Sequence, residues 1–138
     1  MVCALLRERL SDQPRLKWGD DSPAWHRIIE VGNYRPLLIH GDAIRGFSGT
    51  PAFAIAKRFT AWAAGVLEPW TDGYMGHYHQ EMTIPIAAGR RVFMTPSLVS
   101  DSSYATEFMG ANAPPGARLH FVDPKHARVT GTYVLHLG

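Results

Sequence analysis

The sequence predicts a mixed α/β domain with a mixed sheet and few helices. Only two stretches, residues 2–10 and 50–67, carry apolar residues at helical spacing. The remainder is broken into short apolar runs by Gly, Pro and Asn, the punctuation of strands and turns. With 138 residues, 46% of them hydrophobic and 19% charged, the chain has the composition of one globular unit with a sizeable core, so residues 1–138 read as a single domain.

The elements follow in order. Leu5, Leu6 and Leu10 give a short opening helix that stops before Ser11-Asp12-Gln13-Pro14. Ile28 to Val31 and Arg35 to Ile39 flank Gly32-Asn33 and read as a hairpin, with Pro36 weakening the start of its second strand. Thr50-Pro51 reads as N-cap and first turn of a helix that buries Phe53, Ile55, Ala56, Phe59, Trp62, Ala63 and Val66 and stops at Glu68-Pro69. Strands follow at Tyr74-Met75, Met82 to Ile86, Arg91 to Thr95, Ala117 to Asp123 and His126 to Leu137, with turns at Ala88-Gly89 and Asp123-Pro124-Lys125. Helices interspersed among short strands predict packed α/β layers. The stretch 110–117 is an ordinary loop, and no fixed-period repeat is present.

Composition excludes several classes. No apolar run reaches the length of a membrane span, and Arg7, Glu8 and Arg9 interrupt the apolar start, so a cytoplasmic protein without membrane partners is expected. Cys3 is the only cysteine, which rules out an intrachain disulfide and a cysteine zinc cage. A metal would therefore rest on His and carboxylates. Fourteen basic residues against 12 acidic ones leave a net charge of +2 without a basic cluster, so charge names no partner. Eleven of the basic residues are Arg, which suits phosphate recognition and is also what a genomic base bias produces.

The sharpest chemical signal is Gly76-His77-Tyr78-His79. On an extended segment, residues i and i+2 project to one side, roughly 6–7 Å apart, a spacing that lets one imidazole serve each ion of a two-metal site. The same spacing also describes two ordinary polar residues on a strand face. His40 adds to the first reading because it follows Leu37-Leu38-Ile39 directly, and ligands of α/β folds gather at carboxyl ends of strands. Three imidazoles cancel none of the charge of two divalent ions, so such a site wants carboxylates, for which Asp42, Asp72, Glu81 and Asp101 are the nearby candidates. Trp62, Trp70, Tyr74 and Phe93 suit either a core or a base-stacking surface. His120, His126 and His136 read as structural or solvated.

Leu37 to Asp42, a helical insert, then Tyr74 to Gln80 resemble, in order and context, the closing motifs of the calcineurin-like metallophosphoesterases. The run Thr95-Pro96-Ser97-Leu98 and onward to Ala105 is similar to the strand and loop that follow in phage-encoded and DNA-repair-exonuclease-type members, with Thr95-Pro96 in place of Asn-Gly. The resemblance covers residues from about 26 onward. It implies half of a four-layer α/β/β/α sandwich. It also implies that His40 and His77 ligate one metal and His79 the other, with manganese the usual ion, although imidazole suits zinc, iron and nickel equally. Arg45, in a loop similar to the family's phage type, is a candidate phosphate contact, and Tyr104, in the loop after Ser97-Leu98, suits either a substrate contact or a packed position. The family's chemistry is attack of a metal-activated water on a phosphate ester.

The family's amino-terminal motifs, Asp-x-His, Gly-Asp-x-x-Asp and Gly-Asn-His-Asp, are absent, so no catalytic residue is assigned. Gly19 to Pro23 and Gly32 to Arg35 are chance fragments. The expected function is metal-dependent hydrolysis of a phosphate ester, nucleic acid among the candidates, with a second polypeptide or second copy completing the binuclear site. The alternative is a non-catalytic module that keeps the scaffold and binds a protein or nucleic acid. A single-metal hydrolase would need Asp42 or Asp72 as a ligand.

Overall fold

A computed structural model describes residues 2–16, 18–19, 23–45, 50–99 and 114–137. The elements in chain order are α1 (Val2–Arg9), β1 (His26–Ile28), β2 (Leu37–Ile39), α2 (Ala52–Ala61), β3 (Gly73–Met75), β4 (Met82–Pro85), β5 (Arg91–Met94), β6 (Gly116–Asp123) and β7 (Arg128–His136). The first five strands form one sheet in the order β1-β2-β3-β5-β4, and β6 and β7 form a separate two-stranded ribbon. The inner strands β2, β3 and β5 are parallel, with β1 and β4 antiparallel on the two edges. Edge strands of three and four residues limit the exposed ladder.

Strand alternation sorts the sheet into two faces. Leu37, Gly73, Val92 and Ile84 form one cross-sheet row, and Ile39, Met75, Met94 and Met82 form another on the same side. These rows pack with Ile55 and Phe59 of α2 and with Trp70 into the apolar core. Gly73 is required by that packing: a Cβ there would lie 2.3 Å from Cε1 of the fully buried Phe59 ring. The buried stripe of α2 is narrower than its sequence suggests, since Phe53 and Val66 stand 84% and 69% exposed. Thr50 does not cap the helix; Pro51 is the N-cap residue, and the Thr50 hydroxyl bonds Gln80 instead. Beyond Ala61 the backbone widens through Trp62–Val66 and ends at Gly65, whose φ of 106° only glycine adopts freely.

The opposite face carries Leu38, Tyr74, Phe93 and Thr83, and the ribbon lies across it. The buried ring of Phe93 has the Arg91 guanidinium 5.0 Å and the Arg118 guanidinium 5.5 Å from its centroid, with the His120 ring 4.3 Å away. Arg118 also reaches Thr83 and Glu81. The ribbon turn is held by Asn33, whose N–H and side-chain amide donate to the carbonyls of Pro124 and Lys125. Helix, sheet and ribbon thus stack as α/β/β. The ribbon's outer face presents Leu119, Phe121, Tyr133, Leu135 and Leu137, each more than 40% exposed.

At the foot of the parallel strands, Asp72 is buried with 4% of its surface exposed. Its carboxylate accepts from the Tyr34 hydroxyl at 3.2 Å and from the Arg91 N–H and guanidinium at 3.1 and 3.3 Å. Tyr34 has one proton to give, so its oxygen accepts from Tyr74 (2.9 Å), and Tyr74 in turn accepts from Nδ1 of His120 (2.6 Å). The carboxylate thereby fixes the His120 tautomer. Nε2 is left as a buried nitrogen with no partner among the described residues. Burial, then Arg118 and Arg91, push the His120 pKa down, with Asp72 opposing.

Two expectations follow. Gly73→Ala, which drives a methyl into Phe59, lowers stability by about 1–3 kcal/mol in urea unfolding. A histidine whose folded pKa lies below its unfolded value of about 6.5 contributes stability that is complete above that pH and is lost as the pH falls toward the folded pKa. The stability difference between the wild type and His120→Gln, measured by urea unfolding, is therefore larger at pH 7.5 than at pH 5.

Candidate functional site

The carboxyl ends of the three parallel strands lie level, because Ile39, Met75 and Met94 are in register. The next residues, His40, Gly76 and Thr95, therefore form one rim, tied by Gly76 N–H to the His40 carbonyl (3.2 Å) and Thr95 N–H to the Met75 carbonyl (2.9 Å). Strand-end placement brings His40 and His77 together across 37 residues of sequence. His40 Nε2 and His77 Nδ1 are 3.3 Å apart, with ring centroids at 5.1 Å and planes near perpendicular.

The histidine motif is not the extended segment its spacing predicts. His77 has φ 67° and His79 φ 54°, both in the left-handed region that non-glycine residues avoid. The Tyr78 N–H donates to the Gly76 carbonyl at 2.8 Å, which closes a tight three-residue turn about His77. Residues held in such conformations cost of order 1–3 kcal/mol each, and they cluster where a side chain must be aimed. The tight approach also falls at a different glycine. A Cβ on Gly76 would make only ordinary contacts, whereas Gly41 has φ 108° and a Cβ there would meet Met75 Cε at 2.6 Å and His77 Cβ at 3.6 Å. Gly41 is thus what allows the loop after β2 to pass beside His77.

That loop turns at once, with Ile44 N–H donating to the Gly41 carbonyl at 3.1 Å and the Tyr78 hydroxyl donating to the Ile44 carbonyl. It carries Asp42 and Arg45, both exposed. The electrostatics place these groups around His77. Its pKa is pushed down chiefly by burial and then by His40, with His79 and Arg45 adding to the shift and Asp42 opposing it. Burial raises the Tyr78 hydroxyl, and Arg45 opposes that shift. A histidine held neutral is in the form that ligates a cation.

The contact between His40 and His77 is a ring-to-ring hydrogen bond; two nitrogens that bind one ion at 2.0–2.1 Å with tetrahedral geometry also stand about 3.3–3.4 Å apart, so the same separation serves two ligands of a single cation. The set is incomplete: among the described residues no group of three or more His, Cys, Asp or Glu side chains is arranged to hold an ion. Asp72 lies at the other end of the strands, engaged by Tyr34 and Arg91. Glu81 bonds Arg118. Asp101 and Tyr104 lie outside the described residues, as does the run from 100 to 113. Of the aromatic residues, Trp70 and Phe93 are core and Tyr74 belongs to the buried network. Among the described residues no helix is long and apolar enough to cross a membrane.

Sequence reasoning passed over a cavity of about 200 Å³ next to this rim, lined by Trp25, Ile39, Gly41, Asp42, Arg58 and Trp62 among others. Trp25 and Trp62 meet there with ring centroids 5.0 Å apart. No periodicity or motif singles out Trp25, which enters the cavity only because β1 pairs beside β2.

No family model matches the chain, and no curated protein does. Solved structures that match in fold include two of Vps29. Vps29 from Entamoeba histolytica complexed with zinc aligns at 16% identity and TM-score 0.51, over 86% of this chain and 66% of that one. A single mutant of the same Vps29 aligns at 16% identity and TM-score 0.52, over 88% of this chain and 65% of that one. The chain thus spans about two thirds of the length of these relatives in fold. Vps29 has the calcineurin-like metallophosphoesterase fold, and the α/β architecture described above is of that type.

Replacing Gly41 by Ala forces a side chain into the left-handed region and against Met75. It is expected to cost about 2 kcal/mol in urea unfolding. It also shifts the imidazole resonances of both His40 and His77.

Proposed function

We propose that the chain is a metallophosphoesterase-type module that binds a divalent cation through His40 and His77, with His79 beside them for a second ion, and takes its bridging carboxylates from a second polypeptide or a second copy of itself. The observation that carries this reading is the 3.3 Å separation of two imidazole nitrogens at adjacent parallel strand ends, in a rim that has no carboxylate set among the described residues. Zinc occupies one solved relative in fold, and manganese is the working ion we adopt for activity. When bound, the cation lowers the pKa of a coordinated water and polarises a phosphoryl oxygen.

The chain's own residues supply the rest. The turn about His77 sets its Nδ1 against His40, and burial and the neighbouring His40 push its pKa down, which favours the ligating form. Arg45 presents a guanidinium on the same side, suited to a phosphate oxygen. Asp42 is the one described carboxylate whose charge is felt at His77 from the adjoining loop, and it is the candidate for an additional ligand. The substrate is a phosphate ester, with nucleic-acid ends included through the likeness of the rim to phage-type and exonuclease-type motifs. We place the protein in the cytoplasm, the host's if it is phage-encoded.

A second reading, a non-catalytic module bound to a protein, is favoured by the ribbon's uncovered apolar face, which is what a protein partner would bury.

Plasma mass spectrometry of tag-free chain soaked in zinc or manganese and desalted tests the first reading. One or two ions per chain are expected, falling at least tenfold in His77→Ala/His79→Ala and in His40→Ala. Retention unchanged in all variants would overturn the assignment. Retained metal without turnover of bis(p-nitrophenyl) phosphate, alone or with a candidate partner chain, would favour the non-catalytic module.

A further inference from the structure

The cavity beside the rim is unused by the metal reading, and its lining has a definite chemistry. One wall is aromatic: Trp25 and Trp62 are tilted at 44°, and Trp62 is backed by Phe59 at 4.9 Å. Trp25 is 55% exposed, an unusual state for a side chain that is highly buried on average. The backing of Trp62 by a core ring makes that part of the wall rigid. Ile39 and Gly41 also line it, and Gly41 belongs both to the cavity and to the close approach beside His77.

The remaining wall is polar. Arg58, in the last turn of α2, brings a fork of donors, and Asp42 brings acceptors, so an occupant must offer both kinds of group to be held without loss. An aliphatic or phenyl side chain satisfies the tryptophans and leaves both charged groups desolvated for nothing. A nucleobase satisfies all three: its faces stack on indole, and its edges carry acceptors for guanidinium and donors for carboxylate. The volume of about 200 Å³ is below that of a pocket for a drug-sized ligand and suits a single planar ring system. Gly41 and Asp42 of its lining directly follow His40 in the chain, which puts the cavity next to the strand-end histidines and the loop that carries Arg45.

We propose that this cavity is a base-binding subsite, seating one nucleobase of a nucleotide or nucleic-acid terminus whose phosphate lies at the strand-end histidines. The proposal rests on the metal-site reading for the position of the phosphate, and not for the recognition of the base.

The test reads the four tryptophan indole N–H resonances of ¹⁵N-labelled full-length chain in EDTA, titrated with adenosine, guanosine, cytidine and thymidine, which lack phosphate. Trp25→Phe and Trp62→Phe identify the two resonances. Saturable shifts confined to Trp25 and Trp62 are expected with at least one nucleoside, with affinity weakened at least fivefold in Arg58→Ala and in Trp25→Ala. Trp25 is exposed, so that variant leaves the core intact. No shift, or equal shifts at Trp18 and Trp70, would overturn the subsite. So would equal or tighter binding of N-acetylphenylalanine amide, which would assign the cavity to a protein side chain. In a second arm, zinc is added and the 5′- and 3′-monophosphates of the bound nucleoside are compared with it. Tighter binding of a monophosphate, lost in His40→Ala, supports the full placement. Nucleoside binding without that gain leaves the base subsite standing and counts against the metal-site reading alone.

Discussion

The carboxylate of Asp72 is the constraint on which the architecture turns. A buried carboxylate is costly unless its oxygens are occupied, and here they are engaged by Tyr34 in the turn after β1 and by Arg91 at the start of β5, with the network running on through Tyr74 in β3 to His120 on the ribbon. One charge therefore sets the register of β3 against its neighbours and the seat of the ribbon on the sheet. Because each hydroxyl has a single proton, the chain of hydrogen bonds has one direction, and the sheet face receives the ribbon in one orientation. The rim at the far end of the same strands inherits its precision from this foot, since strands fixed in register at one end present level ends at the other.

That division between foot and rim gives the site its character. The foot is buried and hydrogen-bonded around the Asp72 carboxylate. The rim is exposed, turns sharply, and carries two histidines in conformations that cost energy. His40 and His77 meet because their strands are adjacent and parallel, a relation that needs a crossover such as α2 between them. The antiparallel pairing of β1 on the other side of β2 sets Trp25 beside Trp62 and so builds the cavity wall.

Much of this was legible in the sequence. The mixed α/β class, both long helical stretches and the strands around Val92, Leu119 and Val134 followed from period and punctuation, and the resemblance of His40 and Gly76 to His79 to metallophosphoesterase motifs agrees with the fold of the solved relatives. What was not legible depends on contacts between distant segments. Pattern could not show that Asp72 would serve the core instead of a metal, since its partners Tyr34 and Arg91 are 38 and 19 residues away. Spacing suggested an extended His-x-His, but the turn at His77 is decided by the Gly76 carbonyl and the loop pressed against it through Gly41. The first strand of the hairpin came two to three residues early, at His26–Ile28, because Ile28 pairs with Leu37 and leaves Val31 and Tyr34 to close the turn. Phe53 read as core by period, yet the sheet is only wide enough to cover the Ile55 and Phe59 stripe.

The ribbon has a consequence for the order of folding. β6 and β7 are joined by a tight turn and pair locally, the kind of hairpin that forms in microseconds, whereas β2, β3 and β5 must close long loops before parallel pairing rewards them. Pairing within the ribbon is therefore the faster step, ahead of assembly of the face it docks on. During that interval both of its sides are open, one lined by Val122 and Val134 and the other by Leu119, Phe121, Tyr133 and Leu135. A two-stranded apolar ribbon with free edges is a template for other strands, so the concentration at which this chain refolds decides whether it meets its own sheet or another copy first.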